Sequence, residues 1–306
     1  MHNKTPPIIC IAGPTAVGKT NLAIALAKRY NGEIISADSM QIYRKMDIGT
    51  AKPTLTQRQG IAHHLLDVVD IGESYSAGTY QRDARNAIDD VQSRGKLPIL
   101  CGGTGLYIHA AFYNMQFANT QPNPQLRASL QAQAQEDPVM LFETLRQVDA
   151  VTAEKLHIND TKRIVRALEI FYATGQPMSA QVTDYTAQSV YPFVYMGLTT
   201  AREVLYARIN QRVEQMMQDG FLEEVQMLRE LYAQKLYQMQ AIGYKELLKA
   251  LDGEYSVADA VEQIQQNSRR YAKRQLTWFN RERNIVFFDI MQENFLEKVY
   301  NHIDEL

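Results

Sequence analysis

Cysteine is scarce: the 306 residues include only Cys10 and Cys101, each within a short apolar run, Ile8 to Ala12 and Leu97 to Cys101. So few thiols exclude a disulfide-stapled framework and suit buried, free cysteines in a reducing compartment. Long apolar runs are missing as well. None approaches the roughly 18 residues of a membrane span, so no membrane partner is expected. The opening stretch Met1 to Pro7 lacks a signal-peptide core, because the apolar stretch after it is short and ends in glycine. A cytoplasmic location is therefore expected. Excess charge of either sign is absent too, with a formal net charge of -2. That argues against a coat of basic charge for indiscriminate nucleic-acid binding and leaves room for a local basic patch. No internal repeat or sustained heptad is present. Hydrophobic residues at 45% and charged residues at 22% are an ordinary globular composition. The length allows one large domain or two modest ones.

What is present in the first third is alternation. Apolar runs at Ile8 to Ala12, Glu33 to Ala37, His64 to Val69 and Leu97 to Cys101 read as strands, separated by helical patterns such as Thr20 to Tyr30 and Ser76 to Ser93. Strand–helix alternation predicts a parallel sheet flanked by helices, with ligands at the carboxyl ends of the strands. Composition shifts after Tyr113, where Gln, Asn and Ala accumulate around Pro122 and Pro124. Helical patterns over Val151 to Leu156 and Arg163 to Tyr172 follow, and the polar stretch Ser179 to Ser189 closes the segment. Tyr191 to Leu198 reads as a strand returning to the sheet. Helices are expected over Glu203 to Gln218, Leu222 to Gln234, Tyr244 to Leu251 and Val257 to Phe279, with an edge strand at Ile285 to Phe288. Residues 1–113 and 191–306 thus form one α/β domain with C-terminal helices, and 114–190 a helical insertion.

Gly13-Pro14-Thr15-Ala16-Val17-Gly18-Lys19-Thr20 matches the phosphate-loop pattern in full, between an apolar strand and a helix. Its glycines let backbone N–H groups cradle phosphate oxygens at a helix N-terminus. Lys19 supplies a point charge, and the Thr20 hydroxyl can ligate magnesium. The loop does not say which phosphate it holds, so a kinase is the first comparison. Asp38-Ser39-Met40-Gln41-Ile42-Tyr43 and Gly102-Gly103-Thr104-Gly105-Leu106-Tyr107 follow the second and fourth strands, with His63-His64-Leu65-Leu66-Asp67 between. Adjacent histidines on a strand point to opposite faces, so a metal pair is not expected there.

These pieces, in order with Arg163-Ile164-Val165-Arg166-Ala167-Leu168-Glu169, Ala241-Ile242-Gly243-Tyr244 and Tyr271-Ala272-Lys273-Arg274-Gln275-Leu276-Thr277-Trp278-Phe279, resemble the tRNA dimethylallyltransferases over essentially the whole chain. The resemblance implies a P-loop NTPase-like fold that holds dimethylallyl diphosphate in place of ATP. It implies transfer of the dimethylallyl group to the exocyclic N6 amine of the adenosine immediately 3′ of the anticodon, with Mg2+ as cofactor. It further implies that the insertion grips the anticodon stem-loop, and a monomer is expected.

An exocyclic amine is a weak nucleophile, whereas an allylic diphosphate ionises readily. Catalysis therefore needs diphosphate stabilisation, a base and a dry encounter. By resemblance Asp38 is the base and Thr104 hydrogen-bonds the bridging leaving oxygen. The alternatives are a second-shell magnesium ligand or helix cap for Asp38 and a helix cap for Thr104. Arg208 and Arg212 share a helix face, and one or both reach the diphosphate by resemblance; ion pairs with Glu203 or Glu214 are the alternative. Ser39, Met40 and Gln41 match positions that hold the target adenine, which must be extruded from its stack. Tyr244 and Lys245 are expected to contact the tRNA.

Lys162, Arg163 and Arg166 open a helix, where cations oppose its dipole. That favours phosphate contacts, with ion pairs to Asp160 or Glu169 as the alternative. Ser268 to Arg283 mixes six cations, Lys273 and Arg274 among them, with Tyr271, Trp278 and Phe279, a pattern suited to RNA. A solvated helix face explains part of it. A kinase would leave the insertion and the Asp38 and Thr104 segments without purpose. A free-nucleotide prenyltransferase would not need the basic–aromatic helix, and a non-catalytic RNA-binding module would not need Lys19.

Overall fold

The computed structural model describes residues 7–117, 123–180 and 188–305. The opening stretch 1–6, Pro122 and most of the polar closing stretch (181–187) lie outside the described residues. Two compact units emerge, Met1–Phe112 with Ser189–Leu306, and Tyr113–Gln188.

The first unit begins with β1 (Ile8–Ala12), α1 (Lys19–Arg29), β2 (Gly32–Ser36), α2 (Leu55–Arg58), β3 (His63–His64), α3 (Ala77–Ser93), β4 (Leu97–Gly102) and α4 (Gly105–Phe112). The second unit is helical: α5 (Pro124–Glu136), α6 (Pro138–Val148), α7 (Ala150–Ala153) and α8 (Thr161–Thr174). The chain then returns to the first unit through β5 (Phe193–Thr199), α9 (Arg202–Gln218), α10 (Phe221–Tyr232), α11 (Gln234–Tyr237), α12 (Tyr244–Leu251), α13 (Val257–Phe279), β6 (Ile285–Asp289) and α14 (Phe295–Asp304).

The six strands form a parallel sheet in the order β3-β2-β4-β1-β5-β6. β1, β2 and β4 are buried at every position. That is why they read as unbroken apolar runs, not as alternating ones. Ile9, Ile11, Ile99 and Met196 pack with Leu22, Leu26 and Leu205 in one core. A second cluster joins Val213, Phe221, Val225, Leu228, Tyr244, Leu247 and Ile264 of the later helices. The helical unit has its own core, with Leu130, Leu141, Leu145, Ile164 and Leu168 at its centre. Cys10 and Cys101 are free and buried, and burial pushes both thiols up.

One expected strand is corrected. Of the third apolar run only His64, together with His63 just before it, pairs with β2. Leu65 and Asp67 adopt positive φ of 61° and 57°, which breaks the extension. Asp67 and Val68 donate instead to the Gln41 and Ile42 carbonyls, at 3.2 and 2.7 Å, so the run clamps the loop after β2. Val151 to Leu156 is also shorter in helix than expected, since α7 stops at Ala153. Among the described residues no helix is long and apolar enough to cross a membrane.

Candidate active site

Three strand ends converge. After β1 the loop turns through Gly13 (φ 146°), Ala16 (φ 63°) and Gly18 (φ 100°) into α1. A Cβ on Gly13 would lie 2.8 Å from the Leu198 carbonyl oxygen, so that position needs glycine twice over. Lys19 Nζ donates to the Pro14 carbonyl at 2.7 Å and so reaches back across the cradle. Burial pulls the Lys19 ammonium down to about 8, and Arg212 adds to the effect.

After β2, Asp38 Oδ1 accepts the backbone N–H groups of Met40 (2.8 Å) and Gln41 (3.3 Å) and so fixes its own turn. Its second oxygen takes no hydrogen bond from the described residues. After β4, Thr104 Oγ1 accepts the Ser39 N–H at 3.1 Å and lies 3.4 Å from the Ser39 hydroxyl. Thr104 does not cap α4 with its side chain; its carbonyl takes that helix's first N–H groups, from Tyr107 and Ile108. A Cβ on Gly102 would come within 2.1 Å of the Ala37 carbonyl oxygen, so the two turns touch through backbone.

Two helices close the space. From α9, Arg212 Nη1 approaches Thr15 Oγ1 at 3.5 Å. Burial and the neighbouring Arg208 lower its guanidinium. Arg208 itself is exposed, and neither arginine pairs with Glu203 or Glu214 among the described residues. From α13, Tyr271 and Arg274 face in, with the guanidinium 5.6 Å from the Tyr271 ring centroid. The resulting cavity of about 260 Å³ is lined by the polar or charged residues Thr15, Asp38, Ser39, Arg212, Tyr271 and Arg274, with Met40 among them. Ile209, Val213, Met216, Phe221 and Ile264 supply apolar side chains. A lining that combines the cations Arg212 and Arg274 with several apolar side chains suits an anionic group attached to a hydrocarbon chain.

Several expected site residues are placed differently. Gln41 turns its amide nitrogen to the Thr50 and Ala51 carbonyls, at 3.1 and 3.2 Å, so this group shapes the cavity wall. Tyr244 is buried, and its hydroxyl donates to Glu224 at 2.6 Å. It also lines the cavity. Lys245 lies 3.6 Å from Glu246, and Lys273 is exposed on α13. In the helical unit Lys162, Arg163 and Arg166 lie on α8, and all three are exposed. Arg163 lies 3.7 Å from Asp160 and Arg166 3.6 Å from Glu169, both long for ion pairs.

The sequence reading missed four supports. Arg127 grips the buried Glu169 with two bonds of 2.6 and 2.9 Å and adds a cation near Arg166. Glu224 accepts the N–H groups of Asp47, Ile48 and Gly49. Lys52, with its side chain 3% exposed, ties Asp47 and Asp67 at 2.6 Å each. Gln275 joins the phosphate loop to the Gly103 carbonyl. Only their tertiary partners mark Glu224, Lys52 and Arg127.

Residues 41–282 match the family model described as IPP transferase. The tRNA dimethylallyltransferase of Anoxybacillus flavithermus is 47% identical, with 97% of this chain and 94% of that protein covered. The Bacillus subtilis tRNA dimethylallyltransferase is 46% identical, with 99% and 98% covered. The tRNA isopentenylpyrophosphate transferase structure from Bacillus halodurans superposes with a TM-score of 0.73 at 40% identity, covering 99% and 95%. A eukaryotic dimethylallyltransferase described as acting on tRNA gives 0.81 at 32% identity, covering 97% and 77%. A match this long, to a family model and to near-full-length relatives alike, makes this chain a member of the IPP transferase family.

Proposed function

We propose that the protein transfers a dimethylallyl group from dimethylallyl diphosphate to the exocyclic N6 amine of the adenosine immediately 3′ of the anticodon in tRNA, releasing diphosphate. The observation that carries this reading is the cavity lined together by Thr15 of the phosphate loop, Asp38, Arg212 and a set of apolar side chains. The backbone N–H groups of Ala16 to Thr20, with Lys19 and Arg212, hold the diphosphate. Ile209, Val213 and Met216 recur on one face of α9 and receive the prenyl chain.

The N6 lone pair forms the new bond to the allylic carbon as the carbon–oxygen bond to diphosphate breaks. Asp38 then takes the amine proton on its unengaged oxygen, and the leaving electron pair stays on diphosphate. The Thr104 hydroxyl, whose oxygen already accepts the Ser39 N–H of the Asp38 turn, donates to the bridging oxygen. Magnesium fits the chemistry here. The Thr20 hydroxyl has no partner among the described residues, and a magnesium ion typically keeps phosphate oxygens and waters as its other ligands. Bound there, it would neutralise charge on the leaving diphosphate. The exposed cations of α8 and α13 support grip on the anticodon stem-loop, α8 belonging to the inserted unit.

The test is transfer from labelled dimethylallyl diphosphate, with magnesium, to unmodified tRNA carrying adenosine 3′ of the anticodon. AMP and labelled ATP run in parallel. Label is expected in tRNA at that adenosine. Label in AMP alone, or phosphate transfer from ATP without prenyl transfer, would overturn the reading.

A further inference from the structure

Gln275 is 5% exposed and sits on α13 one turn beyond Tyr271. Its two amide ends face different parts of the site. Oε1 accepts the Thr15 N–H at 2.8 Å, and Nε2 donates to the Gly103 carbonyl at 2.9 Å. A Cβ on Gly103 would fall 2.2 Å from that nitrogen, so the turn is built to let the amide in. Thr15 belongs to the phosphate loop, and Gly103 immediately precedes Thr104. The amide therefore spans the two segments that grip opposite sides of the leaving group in the reaction proposed above. It also takes the Thr15 N–H out of the set free to bind phosphate.

We infer that Gln275 is a positioning residue for prenyl transfer: its amide fixes the spacing between the phosphate loop and the Thr104 turn, and so the place where the bridging oxygen meets the Thr104 hydroxyl. The inference rests on the diphosphate occupying that loop. Only a side chain of this length with one acceptor and one donor satisfies both partners. A protonated glutamate has the same shape and the same donor–acceptor pair. An ionised one would accept from Thr15 but face the Gly103 carbonyl with lone pairs, and would set a negative charge beside the diphosphate.

That difference supplies a test which simple packing would not pass. Wild type, Gln275→Met and Gln275→Glu are compared for transfer to tRNA, with kcat and both KM values measured and folding checked by thermal melting. Gln275→Met keeps the volume and loses both bonds. Its kcat is expected to fall about 100-fold, the scale of a roughly 1 Å misplacement, while KM for tRNA holds. Gln275→Glu is expected to be poor at about pH 8 and to recover relative to wild type as pH falls to about 6, across the raised range of a buried carboxyl. Undiminished kcat in either variant at about pH 8 would overturn the inference, as would a Glu/wild-type ratio that does not change with pH. If Gln275→Met fails to fold, the pH ratio of Gln275→Glu decides alone. Absence of transfer by the wild type would instead overturn the functional reading, so the two failures are distinct.

Discussion

Glu224 behaves as an internal anion. Its carboxylate accepts the N–H groups of Asp47 (3.0 Å), Ile48 (2.7 Å) and Gly49 (3.2 Å) and the Tyr244 hydroxyl (2.6 Å), with 7% of the residue exposed. Three successive N–H groups form a nest that favours negative charge. Glu224→Gln would turn an NH2 group toward one of those donors, so a loss of about 1–3 kcal/mol is expected in denaturant melts. Stability equal to wild type would count against the nest. A second effect at this scale concerns Lys19, lowered by burial to about 8. Its ammonium is lost as pH rises through that value, while bound diphosphate favours the charged form. Donor affinity should therefore weaken above about pH 8, with proton uptake on binding, as calorimetry in buffers of different ionisation heat would detect. Affinity flat to about pH 9 would contradict a role for that charge.

At the scale of elements, α8 and α13 carry the cations proposed to meet RNA. Arg166→Ala and Lys273→Ala are each expected to weaken tRNA binding and to reduce the slope of log affinity against log salt by about 0.7 for each phosphate no longer neutralised. A slope unchanged in both variants would return these residues to the status of solvated surface charges. The main elements were legible beforehand because their signals are local. Burial on both faces makes β1 and β4 plain apolar runs, and the Ser256–Asp259 capping box marks the start of α13. The run His64 to Val69 was misread because apolar residues also line a clamp between loops. Positive φ at Leu65 and Asp67 leaves no trace in hydrophobic pattern. Lys52 escaped notice for a related reason: its partners Asp47 and Asp67 lie 5 and 15 residues away and meet it only in the folded loop.

For the whole molecule, the sheet is anchored on the side of β2 by Glu33. Arg94 binds both of its oxygens at 2.6 and 2.7 Å, and Lys96 and His64 add bonds of 2.7 Å each. The Arg94 guanidinium above all, opposed by burial, holds this carboxyl well below the usual range. A folded value below the unfolded one contributes stability above about pH 4.3 and loses it as pH falls toward the folded value. Urea midpoints should therefore drop below about pH 4.3, and more shallowly in Glu33→Gln. Parallel pH profiles would show that the cluster adds no linked stability. Catalytic assignments divide along the same line as the fold. The phosphate loop is a contiguous motif and could be read directly, and the resemblance supplied Asp38 and Thr104. The bond from the Tyr244 hydroxyl to Glu224 was not legible, because the motif around Tyr244 says nothing of a carboxylate 20 residues away. Arg212, not Arg208, lines the cavity, a choice that residue spacing alone does not fix.

The most direct measurement is a single-turnover comparison of wild type and Asp38→Asn with saturating tRNA and labelled dimethylallyl diphosphate. Asparagine keeps the turn, since its carbonyl oxygen still accepts the Met40 and Gln41 N–H groups, but it cannot take the amine proton. Both substrates are expected to bind as in wild type while the transfer step slows by about 10²–10⁴-fold, the range for loss of a general base. Transfer at the wild-type rate would contradict the assignment of Asp38 as the group that receives the proton.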